Sequence, residues 1–344
     1  MPGRRPQEIT YAASSSGLAT VPDATRNMPL LRLRRHAGAL VVDNLWRTLA
    51  AAGRLAPNAR PERHGVERLS DIAYAGTGPE HRLDVYRPRD RAEPLPVVLY
   101  VHGGGFRILS KDTHWVMGLV FARAGYVVFN INYRLAPRHP FPAGLQDVAT
   151  AYAWVLDHAH EYGGDASRIV LAGESAGANL VTAATIATVQ RREEPWARAL
   201  FDRGQVPRVV MPACGLLQVT DPERFLRPPH AVSWFVFDRL HEVADAYLAK
   251  APADAYSREL ADPLCLLEGA TAFTRPLPAF FAPVGTRDPV IADHHRLAAA
   301  LRRRGISHEV PEYRGEPHAF HAMMFRANAR QCWRDTFRFL DGKV

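Results

Sequence analysis

The sequence predicts an α/β fold built on a mostly parallel sheet, and three observations carry that prediction. Short strand-like runs alternate with helical stretches over most of the 344 residues. Several of those runs (VVLYV, YVVFNI, IVLAG and RVVMP) are apolar on both faces, as strands covered on both sides by helices must be. One run passes through Gly-x-Ser-x-Gly directly into a helical stretch.

Composition sets the bounds. An apolar fraction of 47% and a charged fraction of 23% are those of a globular chain with a sizeable core, not of a disordered one. The formal net charge is +8, and eleven Arg against five acidic residues in positions 1–68 supply most of the excess. These arginines are scattered, and no basic block is interleaved with aromatics. A solvated surface is therefore expected rather than a nucleic-acid interface. Cys214, Cys265 and Cys332 are too few and too far apart for a disulfide framework or a zinc site, which fits a reducing compartment. No sustained apolar core follows Arg4 and Arg5, and no run approaches the ~18–20 apolar residues that span a bilayer. The expectation is a cytoplasmic protein with no secretory signal and no stable membrane insertion.

Residues 1–27 read as a leader. From Pro29 to Ala52, residues Leu30, Leu33, Ala37, Leu40, Val41, Leu45 and Leu49 fall on one helical face. Pro29 is placed to start that helix and Gly53 to stop it. A linker rich in Pro, Arg and Asn follows at 54–65. Strands are then expected at 67–75, 82–87, 96–102, 126–132, 168–173, 207–213, 278–284 and 307–313. Helices are expected at 112–124, 144–161, 176–191, 290–304 and 321–340. Residues 218–262 break the alternation, with helical signals over 230–249 and no convincing strand. Lying between two sheet strands, they are expected to form an insertion above the sheet and, with 29–52, a lid. The domain reading is 1–60 as leader and cap helices, 61–217 and 263–344 as the two parts of an α/β core, and 218–262 as a cap insertion.

The most informative stretch runs from Ile169 to Asn179. Ser175, between Gly173 and Gly177, stands where a strand turns sharply into a helix, a turn that strains the serine backbone. A Cβ two residues to either side would strike neighbouring chain, so glycine is required at both places. The helix beginning at Ala176 aims its free N–H groups and its dipole at the serine. A nucleophilic hydroxyl and a place for an oxyanion are thus expected together. Earlier in the chain, His102-Gly103-Gly104-Gly105-Phe106 follows a buried run. Three consecutive glycines cost folding entropy, and bare N–H groups able to approach an oxyanion to about 2.7–3.1 Å explain them. A phosphate loop would place Lys-Ser/Thr after the glycines, whereas Phe106-Arg107 follows here. The amides of Gly103, Gly104 and Ala176 are the expected oxyanion hole, with His102 an anchor of the loop rather than a proton carrier.

These motifs, with Tyr133-Arg134-Leu135-Ala136-Pro137 and His139-Pro140-Phe141-Pro142-Ala143 between them, resemble the hormone-sensitive-lipase-like esterases of the α/β-hydrolase fold. The resemblance runs from about residue 65 to the C-terminus. It implies an eight-stranded core sheet flanked by helices, and a helical cap made from the N-terminal segment and an insertion before the last core strands. In this fold the acid and base follow the serine in chain order. Asp288, after the run ending at Val284 and Gly285, looks like the family's Gly-x-x-Asp acid. Asp293 is a rival that reads as part of the next helix. His318 looks like the base, with Ala319 in place of the family's usual glycine and His321 as competitor. His294, His295 and His308 read as helix or strand surface residues. The resemblance also implies that Glu174 props the site through hydrogen bonds. Asp147 is expected to tie the Tyr133 loop to the core. Arg326, Arg330, Arg334 and Arg338 read as a solvated face. Trp234, Phe235 and Phe237 are candidates to line an acyl pocket or to form ordinary cap core.

The expected function is a serine carboxylesterase acting on short- to medium-chain esters through an acyl-enzyme. Ser175, Asp288 and His318 form its triad, and no metal or cofactor is required. A small-molecule ester is the expected partner, and a homodimer is the one assembly considered. An amidase, lactonase or acyltransferase would use the same three residues, because the pocket chooses the leaving group. The non-enzymatic alternative is a ligand-binding relative like the plant gibberellin receptors, which resemble this family without a working triad. Retention of serine, acid and histidine speaks against it.

Overall fold

The computed structural model describes residues 43–44, 48, 50–90, 93–251 and 258–344. The leader at 1–27 and most of the helix expected over 29–52 lie outside the described residues. Helix is present at 43–44, 48 and 50–55, so Gly53 does not end it. The end falls instead at Ala56, which is extended (ψ 135°) ahead of Pro57, as a residue before proline prefers. The expected linker is two 3₁₀ turns, Pro57–Ala59 and Pro61–His64, each opened by a proline.

The strands of the main sheet are β1 (Val66–Ala73), β2 (Arg82–Pro88), β3 (Leu95–Val101), β4 (Val127–Ile131), β5 (Gly164–Glu174), β6 (Val209–Ala213), β7 (Ala279–Phe281) and, after the short β8 (Val284–Gly285), β9 (His308–Glu309). They lie in the order β1-β2-β4-β3-β5-β6-β7-β9. Only β2 runs antiparallel to its neighbours; the remaining pairs are parallel. A fold of eight strands, mostly parallel, is what the sequence predicts. The late strands are interrupted where the sequence suggests continuity, because Pro283 and Pro311 have no N–H to give the ladder. Pairing resumes beyond them: Ala282 N donates to Glu309 O at 2.9 Å and Val284 N to Pro311 O at 3.0 Å. There β8 pairs with β10 (Glu312–Tyr313).

Helices cover both faces: α1 (Trp115–Arg123), α2 (Ala143–His158), α3 (Ala176–Val189), α4 (Pro195–Asp202), α5 (Trp234–Leu248), α6 (Pro263–Glu268), α7 (Ile291–Arg303) and α8 (Ala327–Leu340). Strand alternation divides the core. Val97, Leu99 and Val101 join one apolar cluster with α2 and α3, while Val98 and Tyr100 join a second with α1 and α8. Helix α3 lies under so much of this packing that all 14 of its residues are buried. The short α4 was not anticipated. Helix α8 starts later than its pattern suggests, because Ala319 at φ 55° and a 3₁₀ turn over Phe320–Ala322 occupy the preceding chain.

Between β6 and β7 the chain leaves the sheet. Residues 218–262 carry a 3₁₀ turn (Pro222–Leu226), α5 and a second 3₁₀ turn (Glu259–Ala261), with no strand among the described residues. Asp262 accepts from the Val219 and Thr220 amides, at 2.5 and 3.1 Å, so the two ends of this excursion meet. Among the described residues no helix is long and apolar enough to cross a membrane.

Candidate active site

Strand β5 delivers Ser175 to the start of α3 with φ 53° and ψ −114°, a conformation that costs of order 1–3 kcal/mol. The surrounding structure imposes it. Ser175 N donates to Ala213 O at 3.0 Å, and its carbonyl accepts from Asn179 N and Leu216 N at 3.3 Å. A Cβ on Gly173 would lie 2.6 Å from Gly177 O, and one on Gly177 would lie 2.1 Å from Val101 O. These are the collisions the Gly-x-Ser-x-Gly spacing avoids.

The glycine loop after β3 is oriented peptide by peptide. The Tyr133 hydroxyl donates to His102 O at 2.9 Å, and His102 Nδ1 donates to Gly103 O at 2.7 Å. The C=O and N–H of a trans peptide point in opposite directions. These two bonds therefore fix which way the Gly103 and Gly104 N–H groups face. His102 also stacks on Tyr133, with centroids 4.4 Å apart. The ring anchors the loop, as the sequence suggests. Ala176, first residue of α3, has an N–H with no acceptor inside the helix.

Asp288 and His318 meet beyond the late strands. His318 Nδ1 lies 2.9 and 3.0 Å from the two carboxylate oxygens, and Val290 N donates to Asp288 Oδ1 at 3.0 Å. Arg287 N donates to Glu316 O at 3.0 Å, tying the two loops together. Burial alone would raise the Asp288 pKa, but His318 and the Val290 amide outweigh it and hold the carboxyl below its usual range. Burial alone would lower the His318 pKa, and the Asp288 charge outweighs that and raises it. Among the described residues the His318 hydrogen bonds run to Asp288 alone, so none yet joins it to the Ser175 hydroxyl. Such contacts commonly tighten only when substrate is bound. Ala319 follows in the left-handed region at φ 55°, the conformation glycine adopts without strain.

Cys214 marks the meeting point of these segments. Its ligand atom and those of Asp288 and His318 lie within 4.8 Å of one another, the one such grouping among the described residues that could hold a metal. Burial pushes its thiol well above the usual range, the Asp288 and Glu174 charges add to this, and the Ala319 and Ser175 amides act against it. With the thiol protonated and Nδ1 donating to Asp288, this donor set is arranged for hydrogen bonding. Nothing in the sequence pointed to Cys214.

Behind the serine, Glu174 is buried between two imidazoles. His114 Nε2 lies 2.7 Å from Oε1, and His321 Nε2 lies 3.0 Å from Oε2 but off the hydrogen-bonding direction. Burial alone would raise the Glu174 pKa; His114 and His321 reverse that and hold it well below the carboxylate range. His321, the competitor for the base, is thus paired with Glu174.

The other residues singled out fall as follows. Asp293, the rival acid, is buried in α7, where it accepts from Leu217 N at 2.9 Å and Arg224 at 2.7 Å. His294 is not a surface residue: it is fully buried, accepting from Gly215 N at 2.7 Å with Nδ1 3.2 Å from Ala282 O. Its burial lowers its pKa. A neutral ring bonded at both nitrogens meets those two backbone groups. Asp147 does tie the Tyr133 loop down, accepting from Arg134 N at 2.8 Å and from its guanidinium at 2.7 Å. Arg326, just before the last helix, pairs with Glu316, and Arg338 on that helix pairs with Glu309. Trp234 and Phe235 are exposed, whereas Phe237 is buried.

An eight-stranded, mostly parallel sheet with a strained serine between β5 and α3 and an Asp–His pair beyond its late strands has the architecture of an α/β hydrolase. Residues 98–322 match the family described as the α/β-hydrolase fold. The chain belongs to that family. Carboxylesterase NlhH of Mycobacterium tuberculosis is 41% identical over 137 residues, covering 39% of this chain and 40% of the relative. Esterase LipQ of the same organism is 27% identical over 278 residues, covering 78% of this chain and 61% of the relative. The matches thus span about two fifths to three fifths of the curated relatives' length. A solved esterase of the bacterial hormone-sensitive lipase family is 25% identical with a TM-score of 0.65, covering 88% of this chain and 90% of that one. The resemblance noted in the motifs is borne out.

Proposed function

We propose that this chain is a serine carboxylesterase that hydrolyses short- to medium-chain esters through an acyl-enzyme. The observation that carries the reading is the Asp288–His318 hydrogen bond at 2.9 Å, formed beside the strained Ser175 elbow. His318 takes the Ser175 proton through Nε2 as Oγ attacks the ester carbonyl, and Asp288 keeps Nδ1 protonated and stabilises the imidazolium. Negative charge on the former carbonyl oxygen is met by the amides of Gly103, Gly104 and Ala176. His318 returns the proton to the leaving alcohol. It then activates a water that releases the acid and restores the serine. Residues 218–262 act as a cap over the sheet.

The relatives' names, carboxylesterase and esterase, support ester hydrolysis. Ser175→Ala is the test. It should lower turnover of p-nitrophenyl butyrate by several orders of magnitude and abolish labelling by a fluorophosphonate, with the fold intact. Near-normal turnover in that variant would remove Ser175 as the nucleophile. Parallel assays of aryl amides and lactones with the wild type separate the esterase from an amidase or lactonase.

A further inference from the structure

Helix α5 grips the glycine loop from outside the sheet. An added Cβ on Gly105 would lie 2.7 Å from a Val243 methyl, so backbone and helix are in close contact there. The Phe106 ring stacks on Tyr247 with centroids 3.7 Å apart and planes 12° from parallel. Tyr247 O also accepts from Phe141 N at 2.8 Å. Next along the loop, one Arg107 nitrogen lies 2.5 Å from Glu242 Oε1, both side chains being at most 10% exposed. The other Glu242 oxygen takes Arg239 at 2.7 Å.

This pair acts on the loop through its backbone. Arg107 N and Ile108 N both donate to Gly104 O at 3.1 Å, and Ala136 N donates to Phe106 O at 2.8 Å. The residue that carries the guanidinium therefore also helps fix the Gly104 carbonyl. Buried ion pairs add little net stability once desolvation is counted. What this one supplies is geometry, linking residues 135 positions apart in the chain.

We propose that Glu242 is a positioning residue for the oxyanion loop. Through Arg107 it holds the Gly104–Phe106 turn so that the Gly103 and Gly104 amides are in place before substrate arrives. The proposal rests on the reading of those amides as an oxyanion hole. The segment read as a cap then has a second task, stiffening the site beneath it.

The test compares wild type, Glu242→Gln and the double variant Arg107→Met/Glu242→Met. The double variant replaces the pair with apolar side chains and keeps the packing should the single variant fold poorly. Turnover of p-nitrophenyl butyrate, inhibition by an alkyl trifluoromethyl ketone and the thermal midpoint are measured for each. That ketone forms a tetrahedral oxyanion adduct on an active serine. Both variants should lose about 10- to 100-fold in kcat with KM within about twofold. The ketone inhibition constant should rise by the factor that kcat/KM falls, and the double variant should unfold near the wild-type temperature. Wild-type kcat in the folded variants would overturn the proposal. So would a fall in kcat that leaves ketone affinity unchanged. A wild type that neither turns over esters nor reacts with a fluorophosphonate would remove the esterase reading and this proposal with it. An active wild type matched by both variants removes the proposal alone.

Discussion

Gly104→Ala loads the glycine loop, the proposed oxyanion hole, at its tightest point. The backbone there stands at φ 106°, where a side chain costs about 1–3 kcal/mol. The new Cβ would also lie 2.1 Å from Ile108 O. Real contacts of this kind stay at 3.0 Å or more, so the loop must open by about 0.9 Å. Neither side yields cheaply, because Ile108 N is bonded to Gly104 O at 3.1 Å and His102 holds Gly103 O at 2.7 Å. A displacement of about 1 Å in a positioned group costs about 10²-fold in rate, and loss of one oxyanion donor costs about 10²–10³-fold. Steady-state kinetics on p-nitrophenyl butyrate should therefore show kcat about 100-fold lower with KM little changed. Circular dichroism should report the same secondary structure, since Gly104 is only half-buried and lies beyond the end of β3. Turnover within threefold of the wild type would exclude the Gly104 amide from the hole.

Asp288→Asn should lower kcat by about 10⁴-fold with the fold retained, because its amide NH₂ faces Nδ1 and enforces the wrong tautomer; a loss under tenfold would assign the acid elsewhere. The proposed base, His318, must be neutral to take a proton and its pKa is raised, so the acid limb of kcat/KM should have its midpoint above about pH 6.5 in the wild type. A midpoint below that value would contradict the Asp288–His318 pairing. The stabilisation His318 contributes is complete below about pH 6.5 and is lost as pH rises through its raised folded value. The depressed carboxyls of Asp288 and Glu174 do the opposite: their contribution is present above about pH 4 and is lost as pH falls through the folded values. Urea midpoints should accordingly drop on acidification below about pH 4. Glu174→Gln should flatten that drop while costing about 3–5 kcal/mol at neutral pH. An unchanged acid slope in this variant would mean Glu174 is not ionised.

The central strands were legible because they are nearly all-apolar runs bounded by glycine and proline, and the elbow because its spacing follows from sterics that the backbone confirms at Gly173 and Gly177. What escaped the sequence is whatever depends on partners far along the chain. His294 sits beside another histidine in an amphipathic helix and reads as solvated. Only the fold brings it to Gly215 N and Ala282 O. Cys214 is one of three scattered thiols until Ser175, Asp288 and Ala319 surround it. Arg107 and Glu242 carry no mutual signal at all. The missing N–H groups of Pro283 and Pro311 split in two each of the strands expected to run unbroken over 278–284 and 307–313.

A helix without a water-facing side constrains how this protein can diversify. Every position of α3 is interior, so substitutions there are felt by the sheet on one side and by α2, α4 and α6 on the other. Random variation that survives selection should be sparse along 176–189 and common at exposed positions of α5 such as Trp234 and Phe235. On the proposed reading, substrate preference drifts through the exposed positions of the excursion, Trp234 and Phe235 among them, while the serine mount and the contacts of Glu242, Val243 and Tyr247 with the glycine loop stay unaltered.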